Sequence, residues 1–186
     1  MKQWDQRPFE IRNLFNPAFC GVVLFRAMQS YEEENSQGMP FSLALLILPL
    51  CLQKDSRQVF AENPRRYLLK TIENNPKLLV NFANRVSDML PFTFEAFGVL
   101  MERGCFVVTQ GGRLKIVPNK VRKSVIGTEE SISCQRVARY IGKEFARITD
   151  RVTVYTTFGI RPWRLSRFMY TAMMVNAGTC NLRLMV

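Results

Sequence analysis

The sequence contains no histidine, which removes a histidine-based nucleophile triad, a histidine general base and any zinc site with imidazole ligands. Cysteine is present, but not as a framework. Cys20, Cys51, Cys105, Cys134 and Cys180 are odd in number and widely spaced, with no Cys-x-x-Cys pair and no signal peptide ahead of them, so reduced cytosolic thiols are expected. Each lies beside apolar neighbours, as in Pro49-Leu50-Cys51-Leu52, and reads as a small buried hydrophobe; no histidine is available to activate a thiolate. A phosphate-cradling glycine loop is also missing, because Gln110-Gly111-Gly112-Arg113 has neither the following helix nor the Gly-Lys-Ser/Thr ending. The carboxylate pair Glu129-Glu130 sits at a helix start, where capping explains it. Long apolar runs are lacking too: the longest, Phe41 to Leu52, is interrupted only by Ser42 and falls short of the roughly 20 residues that span a bilayer. No lipidation signal appears at either end. These absences lead us to expect a cytoplasmic protein that is not an enzyme, needs no cofactor or metal and has no membrane partner.

What is there is a chain of 186 residues, 47% hydrophobic and 22% charged, enough for one domain with its own core plus a short appendage. The net charge is +11, and it is unevenly placed. Residues 1–112 hold 12 basic and 11 acidic side chains, whereas residues 113–186 hold 14 and 4. So lopsided a field predicts a polyanionic partner, either nucleic acid or an acidic protein surface.

The pattern predicts a mainly α-helical fold with a small β-hairpin. Asn16-Pro17 opens a helix to about residue 33, with Phe19, Val22, Val23, Arg26 and Ala27 at helical spacing. Gly38-Met39-Pro40 reads as a turn into a helix over Phe41–Leu52, buried on most sides and kinked or restarted at Pro49. Asn63-Pro64 and Asn75-Pro76 read as starts of two more helices. In the second, Leu79, Phe82, Ala83, Val86 and Leu90 share one face, and Pro91 ends it. Thr93 then caps a helix carrying Phe94, Phe97, Leu100 and Met101, which stops at Gly104. Strand-like runs Cys105–Thr109 and Arg113–Val117 flank Gln110-Gly111-Gly112, a hairpin signal. Helix, turn, helix and hairpin over residues 76–117 is the order of a winged helix-turn-helix.

A basic bridge follows at 118–127, and then a helix capped by Thr128. Its buried stripe is Cys134, Val137, Ala138, Ile141, Phe145 and Ile148. The opposite face aligns Arg136, Arg139, Lys143 and Arg147 over about 16 Å, either a rail for phosphates or a solvated face. Thr153–Ile160 reads as a strand or a short buried helix, and 163–178 as a last amphipathic helix closed by Gly178.

Several of these pieces, in order, resemble the middle component of bacterial three-component ABC ATPase systems, the group that includes the small accessory subunit of Lamassu-type defence. They are Asn16-Pro17-Ala18-Phe19-Cys20-Gly21, the block from Gly38-Met39-Pro40-Phe41 through Leu50-Cys51-Leu52, Leu90-Pro91-Phe92-Thr93 with its helix to Gly104, and Phe158-Gly159-Ile160-Arg161-Pro162. The tail from Trp163 does not match. The resemblance implies a non-enzymatic subunit acting with an SMC/Rad50-like ABC ATPase and an effector, often a nuclease; it would dock on the ATPase and couple detection of foreign DNA to effector release. It carries no catalytic residues over.

The reading is therefore a single helical domain over 1–162, with a winged-helix-like part at 76–117 and a helical tail at 163–186. Arg113, Lys115, Lys120, Arg122, Lys123, Arg136, Arg139, Lys143 and Arg147 are the candidates for binding DNA or an acidic partner. Phe41, Leu46, Ile47, Phe94, Phe97, Met169 and Met173 are the candidates for a protein interface, since methionine and phenylalanine suit adaptable contacts. The alternative is a winged-helix transcription regulator, but its recognition helix, Thr93 to Arg103, offers Glu95 and Glu102 against one arginine and lacks readers of base edges.

Overall fold

The computed structural model describes residues 6–148 and 150–160. In chain order its elements are α1 (Phe9–Leu14), α2 (Pro17–Glu34), β1 (Met39–Pro40), α3 (Phe41–Ala44), α4 (Ile47–Cys51), α5 (Lys54–Glu62), α6 (Leu68–Asn74), α7 (Phe82–Glu102), β2 (Phe106–Val108), β3 (Arg113–Ile116), α8 (Glu129–Arg147) and α9 (Arg151–Thr157). The fold is mainly helical with one small antiparallel sheet, as the sequence pattern predicts.

Asn16 starts the central helix α2 by accepting from the backbone N–H of Ala18 (2.9 Å) and Phe19 (3.3 Å), with Pro17 in the first turn. Thr128 does the same for α8 through the N–H of Ser131. The two helices lie against each other, and α7 covers another side of α2. Between them sits the core, with Val23, Leu24, Ala27 and Met28 of α2 meeting the expected stripe Val137, Ala138, Ile141 and Phe145 of α8. Asp150 caps α9 through the N–H of Val152 (3.0 Å) and Thr153 (3.1 Å), which decides between the two readings of that segment in favour of a helix. Phe158, just beyond it, packs on Phe82 (4.8 Å between ring centroids) and Phe145 (6.4 Å), locking the end of α9 onto α7 and α8.

Four expectations are corrected elsewhere, whereas Phe41–Leu52 restarts, as one of its two readings had it: it is two short helices, the second opening at Ile47, so that Pro49 falls in the first turn of α4, where its missing N–H forfeits no intrahelical bond. The polar stretch after it is a helix, α5, and Asn63 closes that helix rather than opening the next: its Nδ2 donates to the Val59 carbonyl at 3.0 Å, and α6 begins only at Leu68. Asn75-Pro76 likewise yields a single 3-10 turn, Pro76–Leu79, before a left-handed Asn81 and the start of α7.

The third correction is the largest. Pro91 does not end a helix; α7 runs through it for 21 residues, so no turn separates two helices there. A proline inside a helix costs about 3 kcal/mol. Phe82, Val86, Leu90, Phe97 and Leu100 line one buried face of the continuous helix, and burying each contributes roughly 1.5–3 kcal/mol, so the face wins. Pro91 itself is exposed, and without an N–H it cannot donate to the Ser87 carbonyl four residues back. Thr93, expected as a cap, is buried in mid-helix with its hydroxyl donating to the Met89 carbonyl (3.0 Å).

Finally, Met39-Pro40 is a strand rather than a turn. It pairs antiparallel with β3, Met39 opposite Leu114, giving the sheet order β1-β3-β2. The hairpin of β2 and β3 forms where expected, Phe106 opposite Ile116 and Val108 opposite Leu114, after Gly104 ends α7 with a left-handed φ of 59°. The helix expected over 163–178, with Met169 and Met173, lies outside the described residues.

Candidate functional site

The basic residues singled out from the sequence separate into two groups on the folded chain. The four of α8 are all exposed, but three are answered from within. Arg139 faces Glu33 (4.0 Å) and donates to Ser30 Oγ (3.5 Å), Lys143 pairs with Glu34 (2.9 Å), and Arg147 reaches both Glu34 (3.5 Å) and Glu144 (2.8 Å). The hydrogen bond from Lys143 holds the Glu34 carboxyl below the ordinary carboxylate range, and Glu144 raises the Arg147 guanidinium. Exposed pairs of this kind are weak and yield to salt, yet they make the α8 face a self-compensated seam between α8 and the end of α2. Arg136 lies apart, on the rim of an open groove of about 640 Å³ between α5 and α8, floored by Phe60, Ala61, Val137 and Tyr140.

The second group is not compensated in this way. From Arg103 to Gly127 the chain carries six cations, Arg103, Arg113, Lys115, Lys120, Arg122 and Lys123, and not one carboxylate. All but Arg113 are exposed; Arg113 is half-buried, donating to the Gly38 carbonyl at 3.0 Å. With them stand the exposed apolar side chains Val107, Val108 and Ile126. A surface that joins positive charge to apolar area in an extended hairpin and loop is suited to holding an anionic macromolecule.

Two residues that sequence reasoning left out of the site position this segment. Arg26 of α2 is 2% exposed; its guanidinium donates to the backbone carbonyls of Arg122 and Ser124 (3.3 Å to the latter) and to Gln135 Oε1 (3.4 Å). The basic bridge is thereby tied to the core, with burial, and then Arg139, drawing the Arg26 pKa down. Glu32, at the end of α2, accepts the N–H of Ile116 at 2.9 Å and so fixes β3. The signal for Arg26 was in the sequence: a cation on the same helical face as Val22, Val23 and Ala27.

The apolar candidates are placed differently. Leu46 and Ile47 are fully buried within this chain's own core, so they are spent on folding and present nothing to a partner; the correction follows from the α3–α4 break, which turns both inward. Phe41 packs on Phe94 (6.3 Å) and Phe97 (5.3 Å), with Phe97 buried and Phe41 and Phe94 half-buried at the surface of the same cluster. Met169 and Met173 lie outside the described residues. The segment Thr93–Arg103 is the second half of α7: Thr93, Ala96, Phe97 and Leu100 face the core, and Glu95 is ion-paired with Arg7.

The described cysteines are all free and buried. Burial pushes the Cys20 thiol up to about 12 and raises Cys51 and Cys134 as well, the reverse of what a reactive thiolate needs. Among the described residues no group of three or more Cys, Asp or Glu side chains could hold a metal ion, and no helix is long and apolar enough to cross a membrane.

The family model for the ABC-three component (ABC-3C) system Middle Component 3 matches residues 4–162. No curated protein and no solved structure matches the chain.

Proposed function

Because the chain belongs to the family of Middle Component 3 subunits of ABC-three component systems, we propose that it is a non-catalytic accessory subunit of an SMC/Rad50-like ABC ATPase complex in the cytoplasm. In this role it docks on the ATPase and couples the sensing of foreign DNA to an effector, a nuclease, in defence against phage or plasmid, as in Lamassu-type systems. The family match, covering most of the chain, carries the reading. The surface supports it: the acid-free segment from Arg103 to Gly127 offers a binding face for DNA or for an acidic patch of a partner subunit, and the buried, raised-pKa thiols offer no nucleophile.

The test is co-expression with a candidate ABC ATPase, sought among the neighbouring genes. Co-purification in fixed ratio, with loss of plasmid or phage protection when this chain is deleted and retention of ATP hydrolysis by the ATPase alone, is the expected result. A chain that purifies free of the ATPase and protects cells without it would sink the proposal.

A further inference from the structure

The sheet has two edges, and they are not equivalent. At one, β1 is two residues long, Met39 is fully buried, and Pro40 has no N–H to offer. That edge is closed. At the other lies β2, and the register determines which of its backbone groups are used. Val117 N–H donates to the Cys105 carbonyl (2.8 Å) and Thr109 N–H to the Arg113 carbonyl (2.9 Å), with Val107 opposite Lys115 between them. Residues 105, 107 and 109 therefore turn their polar backbone groups toward β3, and by the alternation of an antiparallel ladder Phe106 and Val108 turn theirs outward. Ile116 obeys the same alternation, its N–H pointing away from β2 to Glu32.

Proteins usually blunt such an edge with a charge or proline on the strand itself, or by covering it. Here β2 is Phe-Val-Val, with Val107 53% and Val108 58% exposed. In the chain that flanks it cations are in excess: Lys115 stands opposite Val107, with Arg103 before the hairpin and Lys120 and Lys123 after it, against the exposed Glu102 at the end of α7 and Glu32, whose carboxylate is taken up by the Ile116 N–H. An added strand would meet outward N–H and C=O groups, one exposed valine on each face of the sheet and an excess of cations in the flanking chain. We propose that the outer edge of β2 is a strand-addition site for an extended, acidic segment of a partner protein, with main-chain hydrogen bonds giving affinity and the cations selecting charge. The proposal rests on the reading of this basic face as the partner surface. It goes further in naming a protein strand as the occupant. A nucleic acid has no backbone that can continue a β-ladder.

The experiment uses the full chain and a short synthetic peptide alternating glutamate and valine, with the same peptide N-methylated at alternate residues and a duplex DNA as comparators. The unmodified peptide is expected to bind with an affinity that falls with salt, and to slow amide exchange at Phe106 and Val108. The N-methylated peptide, unable to pair, should bind at least about tenfold more weakly, a difference of roughly 1.4 kcal/mol. Val108→Pro removes one outward N–H without touching the bonds to β3 and should lower affinity similarly at an unchanged unfolding midpoint. Should Val108→Pro unfold the hairpin, the N-methylated peptide on the unaltered chain decides the matter alone. Equal binding of both peptides, with Lys115→Glu weakening both, would overturn strand addition while leaving the basic face as a partner surface. DNA that outcompetes the peptide would overturn it in favour of nucleic acid. If neither peptide nor DNA binds, the partner-surface reading falls with it.

Discussion

Arg26 carries a full positive charge into the interior, where among the described residues neutral oxygens alone receive it: Gln135 Oε1, Gln29 Oε1 and the carbonyls of Arg122 and Ser124. Hydrogen bonds to a charged group contribute roughly 1.5–3 kcal/mol each when buried, which offsets the burial of the guanidinium. Arg26→Leu should therefore lower stability by about 2 kcal/mol and, more tellingly, speed amide exchange across residues 121–125 before any other segment. Uniform acceleration over the whole chain would mean that Arg26 only fills space. The buried thiols make a second residue-scale prediction. Cys20 is held protonated up to about 12, whereas an unfolded thiol ionises near pH 8.5. Above that pH the unfolded state binds fewer protons than the native one, so stability present in full below about pH 8.5 declines as pH rises toward 12. The double variant Cys20→Ala/Cys51→Ala should flatten this alkaline decline in a denaturant titration, while lowering stability at neutral pH through the lost volume.

Elements are positioned here by close approaches and by continuous faces more than by local breakers. Where α8 crosses α2, a Cβ on Gly142 would stand 2.8 Å from the Ala27 carbonyl carbon and 2.9 Å from its Cα, and closer still to its oxygen. All three are backbone atoms, so nothing flexible can give way and the helices must separate. Gly98, in contrast, is an exposed position inside α7 with no atom near its missing Cβ. Gly142→Ala is expected to destabilise the chain by about 2 kcal/mol or more, and Gly98→Ala to stabilise it by roughly 0.5–1 kcal/mol. Thermal melts of the two variants check both, and the same sign for the pair would refute the assigned crossing. The turn and break residues show the same hierarchy. Asn16, Thr128 and Gly104 act as their types suggest, because each stands where a helix end is also wanted by packing. Pro91 and Asn63-Pro64 do not, because a buried face outweighs the first and the second falls in a loop after a helix whose buried side includes the polar Ser56 and Arg57.

At the scale of the whole molecule, the fold distributes the cations of the described residues from Arg103 to Arg147 into a compensated seam and an open face. Glu33 and Glu34 belong to the near-neutral first part of the sequence, yet they meet the cations of α8 more than a hundred residues away. Reversing Lys120, Arg122 and Lys123 to Glu should abolish most polyanion binding; against duplex DNA it should lower the slope of log affinity with log salt by up to about three, near 0.9 for each phosphate that is no longer neutralised. Reversing Arg139, Lys143 and Arg147 instead should chiefly loosen the α2–α8 seam, seen as a lower melting temperature, with a smaller change in that slope. Binding lost only in the second set would return the function to the α8 rail.

The sequence by itself determined the helical class, the hairpin, the capped starts of α2 and α8, the buried stripe of α8 and the family, because each is a local pattern: a cap beside its helix, a period along one face, a motif in contiguous residues. It also determined that the second part of the chain is basic. Which cations remain available, whether Leu46 and Ile47 face a partner or the core, and whether Pro91 breaks a helix were decided only by tertiary structure. Those outcomes turn on groups distant in the chain, such as Glu34 beside Lys143, Arg26 beneath Arg122, and α2 beneath Leu100. Their energies rival or exceed the local preferences of a proline or a charged stripe, and no window of sequence contains both partners.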